Sequence, residues 1–150
     1  MLFKQPHMRW VLTVVLLMFA VGSQAHDSAP QTTEAALAQQ AEAILQDMDA
    51  GYYLYTWEKA SSLLQVSMPQ ALFVEAVKHE RRGLGAVIER HLESSQRHDV
   101  DGDYVPQGSY ANVMFSSVFK RHEKAVTERL SFYYEADNTW RFLGYKLIRP

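Results

Sequence analysis

At Gly85 the texture of this 150-residue chain changes, and that change decides what it can fold into. Upstream of it, apolar residues recur at helical spacing; downstream they alternate as in strands. From Thr33 to Met48 the run TEAALAQQAEAILQDM is rich in strong helix formers, and Leu37, Ala41, Ile44, Leu45 and Met48 make one stripe. In YYLYTWEKASSLL, Tyr53, Trp57, Ala60 and Leu64 recur at helical intervals and predict a second helix. Ser67-Met68-Pro69-Gln70 reads as a capping box with Ser67 as N-cap. It opens a third helix from about Met68 to Arg82, with Gly83 at its C′ position.

Four strands are expected after Gly85: Ala86 to Ser95, Tyr110 to Phe119, Ala125 to Glu135, and Thr139 to Ile148. A long polar loop from Asp99 to Gly108, a charged turn from Lys120 to Lys124 and an Asp137-Asn138 hairpin separate them. Helices followed by strands imply an α+β domain, three N-terminal helices packed on a four-stranded antiparallel sheet.

Alternation marks a candidate site. Ala111, Val113, Phe115 and Phe119 share one strand face, and Val126, Leu130, Phe132 and Tyr134 share another with Glu128 among them. In the first strand Ala86, Ile88 and Leu92 share a face with Arg90. A charge buried without a partner is costly, so two opposite charges that each interrupt an apolar face are expected to meet. Such a pair could hold an anionic ligand or position an acid/base group; the commoner alternative is a buried salt bridge that fixes strand register. Tyr52, Tyr53, Tyr55 and Trp57 are either pocket walls or, for Tyr53 and Trp57, core with Tyr52 and Tyr55 at its margin. Asp47 and Asp49 read as helix-end and turn carboxylates, with a general base as the alternative.

Other chemistry lacks its pattern. Asp99, Asp101 and Asp103 resemble the start of a calcium loop, but an EF-hand needs Gly and a bidentate Glu where this chain has Tyr104 and Tyr110. That leaves at most a weak surface calcium site. His79, His91, His98 and His122 show no zinc spacing, and the chain has no cysteine, GxSxG, Walker A loop or GxGxxG. No catalytic residue, metal or cofactor is assigned.

Met1 to Ala25 read as a cleavable secretory signal. Lys4 and Arg9 form a basic n-region, Trp10 to Val21 an apolar h-region, and Ser23-Gln24-Ala25 places small residues before His26. A dozen apolar residues fall short of the roughly 20 that a membrane span needs. Cleavage leaves one domain, residues 26–150, with 13 Lys and Arg against 17 Asp and Glu. That acidic balance argues against nucleic acid and anionic membrane as partners. The soluble periplasm is the expected location, with export from a cell of one membrane fitting the signal equally well.

From Asp49 onward the chain resembles the bacterial domain of unknown function 4019 (DUF4019) family. The resemblance is carried by Asp49-Ala50-Gly51-Tyr52 leading to Trp57, by Arg81, Leu84-Gly85 and Arg90, and by Gly108-Ser109-Tyr110. It continues in Phe119, Glu128 and the closing Trp140-Arg141-Phe142-Leu143-Gly144-Tyr145. Ala71 and Leu72 stand where such sequences tend to carry a tryptophan. The resemblance implies an exported bacterial protein with a cystatin-like or nuclear-transport-factor-like curved sheet, and no activity. The reading that results is a non-enzymatic ligand- or protein-binding module. Its candidate ligand-binding residues are Arg90 and Glu128, with Tyr53, Trp57 and Tyr145 as walls. Its partners would be a small ligand, an envelope protein or, through an open sheet edge, a second copy. Two other readings stay open: a small isomerase or lyase built on a buried carboxylate of raised pKa, and a structural accessory of an envelope complex.

Overall fold

The computed structural model describes residues 34–150; the signal segment read at 1–25 lies outside them. Helix α1 (Glu34–Asp49) buries Leu37, Ala38, Ala41, Leu45 and Met48, so the expected stripe faces the core, with Ile44 only partly covered. After it come α2 (Tyr53–Glu58), α3 (Ser62–Ser67) and α4 (Gln70–Glu80), then β1 (Val87–Val100), β2 (Gly108–Phe119), β3 (His122–Tyr134) and β4 (Trp140–Ile148). The strands form one antiparallel meander in the order β1-β2-β3-β4. The architecture is α+β, as the change of periodicity predicts.

The described helices number four, not three. The segment expected as one helix over Tyr52 to Leu64 breaks at Lys59-Ala60-Ser61, because Ser61 is a buried N-cap. Its Oγ accepts from Leu64 N at 3.2 Å, and its own N–H donates to Phe142 O of β4 at 2.7 Å. A side chain that caps the next helix while its amide pairs with a strand cannot sit inside a helix. The capping box at Ser67 also fails. Ser67 is the last residue of α3, its Oγ donating to Leu64 O, while Pro69 occupies the N-cap of α4 without a side-chain bond. Proline supplies the φ that a helix start needs, so the chain turns there without a hydroxyl. Gly83 does take the left-handed conformation, at φ 82°, two residues beyond the C-cap Arg81.

Strand β1 departs most from expectation. It runs on to Val100, and its register slips between Val87 and Glu89 and again between Leu92 and Ser94. The extra residue at Ile88 breaks the alternation, so Val87 and Arg90 face the core side, opposite Phe119 and Ser117. Ile88 and Leu92, expected beside Arg90 in a buried face, are 65% and 51% exposed, and Ala86 is exposed ahead of the strand. On β2 and β3 alternation holds: Ala111, Val113, Phe115, Phe119, Val126, Leu130 and Phe132 are all buried.

The helices cover one face of the sheet and also its β4 edge. Gln40 Nε2 donates to Trp140 O, Ser61 N to Phe142 O, and Leu147 N to Glu80 Oε2. An edge met at three positions by helical partners offers little backbone to another strand. Trp57 Nε1 donates to Met68 O at 2.9 Å and so ties α2 to the α3–α4 junction. Among the described residues no helix is long and apolar enough to cross a membrane. Replacing Ser61 by Ala removes a cap in a closed environment and is expected to cost about 1–2 kcal/mol. Urea denaturation monitored by circular dichroism measures that loss.

Candidate functional site

Two apolar clusters fill the space between helices and sheet. The larger joins α1, α3 and α4 to Val113, Phe115, Leu130, Phe132 and Phe142; the smaller holds Leu84, Phe119, Val126 and Leu147. The polar group lies in the strands between them. On β2 Ser117 separates Phe115 from Phe119, on β3 Glu128 separates Val126 from Leu130, and on β4 Tyr145 packs against both clusters. Strand periodicity therefore aims Glu128 into the interior, where its side chain is 0% exposed.

Four charges, this carboxylate among them, close into a ring. Arg81, the C-cap of α4, donates to Glu128 Oε2 at 2.9 Å and, through its other terminal nitrogen, to Asp49 Oδ1. Arg90 donates from Nη1 to Asp49 Oδ2 at 2.9 Å and from Nη2 to Asp49 Oδ1 at 3.3 Å, and the same Nη2 is ion-paired with Glu128 Oε1 at 2.8 Å. The two positive and two negative groups alternate, so each charge has two opposite neighbours. Arg90 Nε and Ser117 Oγ also donate to Oε1, at 2.9 and 2.6 Å, and Tyr145 Oη donates to Oε2 at 2.8 Å. Both carboxylate oxygens are thus filled by fixed donors. The Arg81 guanidinium lies 5.5 and 5.8 Å from the Phe119 and Tyr145 ring centres, within cation–π range.

Burial alone would expel these charges. At Arg81 it opposes the charge, and Tyr145, Glu128 and Asp49 overcome it; at Arg90, Asp49 and Glu128 do the same. Both guanidiniums are held above their ordinary pKa. The Tyr145 phenol is pushed well above the usual range by burial and by the Glu128 charge, against the pull of Arg81. Removing one member of such a set costs about 3–5 kcal/mol, because the charge left behind stays buried without a partner.

Of the residues singled out from sequence, Arg90, Glu128 and Tyr145 meet here. Tyr53 and Trp57 do not join them: both are half-buried against the large apolar cluster, and the indole N–H is engaged by Met68 O. Tyr52 and Tyr55 are 61% and 50% exposed, at the margin. Periodicity missed Arg81, Asp49 and Ser117. Arg81 and Asp49 sit at helix ends, where no face repeats, and a serine on a strand face carries no charge to flag. The resemblance did contain a signal, since Asp49, Arg81, Arg90, Glu128 and Tyr145 are all among the residues that carry it. Among the described residues no group of His, Cys, Asp and Glu is placed to hold a metal, and Asp99 instead accepts from Ser109 Oγ at 2.6 Å.

Beside the ring opens a groove of about 340 Å³ between α3, α4 and β4. Leu64, Met68, Phe73, Val77, Leu143 and Tyr145 form its apolar lining, and Ala76, His79 and Glu80 belong to its helical side. Tyr145 serves both features: the residue lines the groove and its hydroxyl belongs to the charge network. A family model described as "Protein of unknown function (DUF4019)" matches residues 40–145, a span that contains the ring and the groove. No curated protein matches the chain.

The raised Tyr145 pKa has a sign. In the unfolded chain the phenol ionises near pH 10 and in the folded protein only above that, so its contribution is complete below about pH 10 and lost as pH rises further. Denaturation midpoints measured from pH 8 to 11 are expected to fall more steeply in the natural protein than in Tyr145→Phe. Parallel curves would contradict the assignment.

Proposed function

We propose that this chain, which belongs to the DUF4019 family, is a non-catalytic binding module, exported to the periplasm, whose binding site is the apolar groove beside Tyr145. The observation that carries the reading is the double role of Tyr145. The ion ring fixes its hydroxyl, so one wall of the groove is held in place before anything binds. A volume of about 340 Å³ lies at the lower end of the roughly 300–1,000 Å³ of small-ligand sites, and the lining has their mainly apolar character.

In this reading Arg90 and Glu128 are the scaffold of the site, not its ligand contacts. An isomerase or lyase would need a carboxylate with a free lone pair turned toward substrate. Both oxygens of Glu128 already accept from Arg81, Arg90, Ser117 and Tyr145, which favours the binding reading over the enzymatic one. The helices stacked on one face of an antiparallel meander, with four register shifts along its strands, support the finer fold reading, cystatin-like or nuclear-transport-factor-like. The basic, apolar and small-residue regions of residues 1–25 support export.

The test uses the uncharged fluorophore N-phenyl-1-naphthylamine, whose emission rises in apolar surroundings. Ala76 lines the groove from an exposed position on α4, so Ala76→Trp fills the groove without straining the core. The protein is expected to bind the probe and Ala76→Trp to bind it about tenfold or more weakly with an unchanged far-ultraviolet spectrum. Equal binding by both would remove the groove as the site.

A further inference from the structure

The hairpin tip between β1 and β2 presents apolar side chains to solvent on a braced base. Tyr104 is fully exposed and Val105 is 48% exposed, side by side at residues 104–105. Beneath them Tyr110 Oη donates to Pro106 O at 2.6 Å, Tyr133 Oη to Gln107 O at 3.4 Å, and Ser109 Oγ to Asp99. Gly108, at φ 151°, lets the Tyr133 ring lie against the backbone, where a Cβ would come within 2.8 Å of it. The tip is thus a small apolar knob held out on a fixed stalk, flanked by Asp99, Asp101 and Asp103 with no cation between residues 99 and 107.

The groove offers room and charge of the opposite sign at one end. Its size suits one aromatic ring and one short branched side chain better than a whole helix. Glu80, the one carboxylate in its lining, is bonded by Lys146 and Arg149, and Arg82 follows in the chain, so three cations stand against one carboxylate at this end of α4. An acidic stalk meeting a basic rim favours encounter in one orientation. The knob cannot fill the groove of its own chain. Tyr145 is level with Leu130 and Val113 in the ladder, five residues down from Gly108 and two strands across. That separation is roughly 17 Å along the strands and about 10 Å across them, in the direction away from the loop.

We propose that Tyr104 and Val105 of one copy seat in the α3–α4–β4 groove of a second copy, joining the protein head to tail. The inference rests on the groove reading above and names a second copy as its occupant. Because knob and groove are different surfaces, the contact is heterologous, and it propagates into open chains unless the rotation closes. An interface of two inserted side chains and a few charges belongs to the small, transient class, so the association is weak, reversible and salt-sensitive.

Sedimentation equilibrium of the purified protein over a concentration series tests this with two variants at exposed positions. Tyr104→Ser with Val105→Ser removes the knob, and Ala76→Trp fills the groove. The natural protein is expected to associate beyond dimers, and each variant alone to associate at least tenfold more weakly with an unchanged far-ultraviolet spectrum. An equimolar mixture of the two variants is expected to recover a 1:1 complex and to stop there, since one supplies only a groove and the other only a knob. Monomeric natural protein at every concentration, association unaffected by either variant, or a mixture that recovers nothing would overturn the proposal. If the natural protein stays monomeric yet binds N-phenyl-1-naphthylamine in a manner that Ala76→Trp abolishes, the second-copy occupant fails and the groove reading stands.

Discussion

A carboxylate with no solvent contact sits in the middle of this fold, and two arginines with Asp49 make that tolerable. Glu128 on β3 is reached by Ser117 from β2, Arg90 from β1, Tyr145 from β4 and Arg81 from the end of α4, while Asp49 at the end of α1 closes the circle. Every strand and both longer helices therefore meet at one group of atoms. The arrangement has to be complete to be neutral in cost: each charge is desolvated, and only the full alternation returns Coulomb energy from two sides. An apolar filling of the same volume would serve stability as well or better. The ring supplies geometry, because a shift of either helix or a slip of one strand leaves an unpaired buried charge.

That requirement explains the division of the core. The ring and its two hydroxyl partners lie in the strands between an apolar cluster under α1, α3 and α4 and a smaller one around Leu84, Phe119, Val126 and Leu147. Tyr145 packs against both sides and bonds to the ring. The groove beside it gains a wall that cannot rotate away without breaking bonds to Glu128 and Arg81. A fixed apolar wall is useful for binding, whereas chemistry at Glu128 would require opening the network that holds the strands in register.

Much of this was legible in the residues. The switch of periodicity at Gly85 placed helices before strands, and the two charges that interrupt strand faces at positions 90 and 128 do meet. Alternation sees only one strand at a time, however. It followed Ile88 and Leu92 into a buried face because a bulge at Ile88 leaves no mark in a run of single residues. It could not place Asp49 or Arg81, whose positions depend on where α1 and α4 stop. The break at Ser61 was hidden for the same reason, since its amide bonds to Phe142, distant in sequence. Counting acceptors offers a remedy: one arginine cannot fill the roughly four acceptor positions of a buried carboxylate, so further donors were required.

The most direct measurement of the ring is a double-mutant cycle between Asp49 and Glu128, which share no bond and are bridged by Arg81 and Arg90. Urea denaturation of Asp49→Asn, Glu128→Gln and the double variant gives the coupling energy. A closed ring predicts non-additivity of about 1 kcal/mol or more, whereas losses that add to within about 0.5 kcal/mol would mean that the two halves act independently and that no ring holds the fold together.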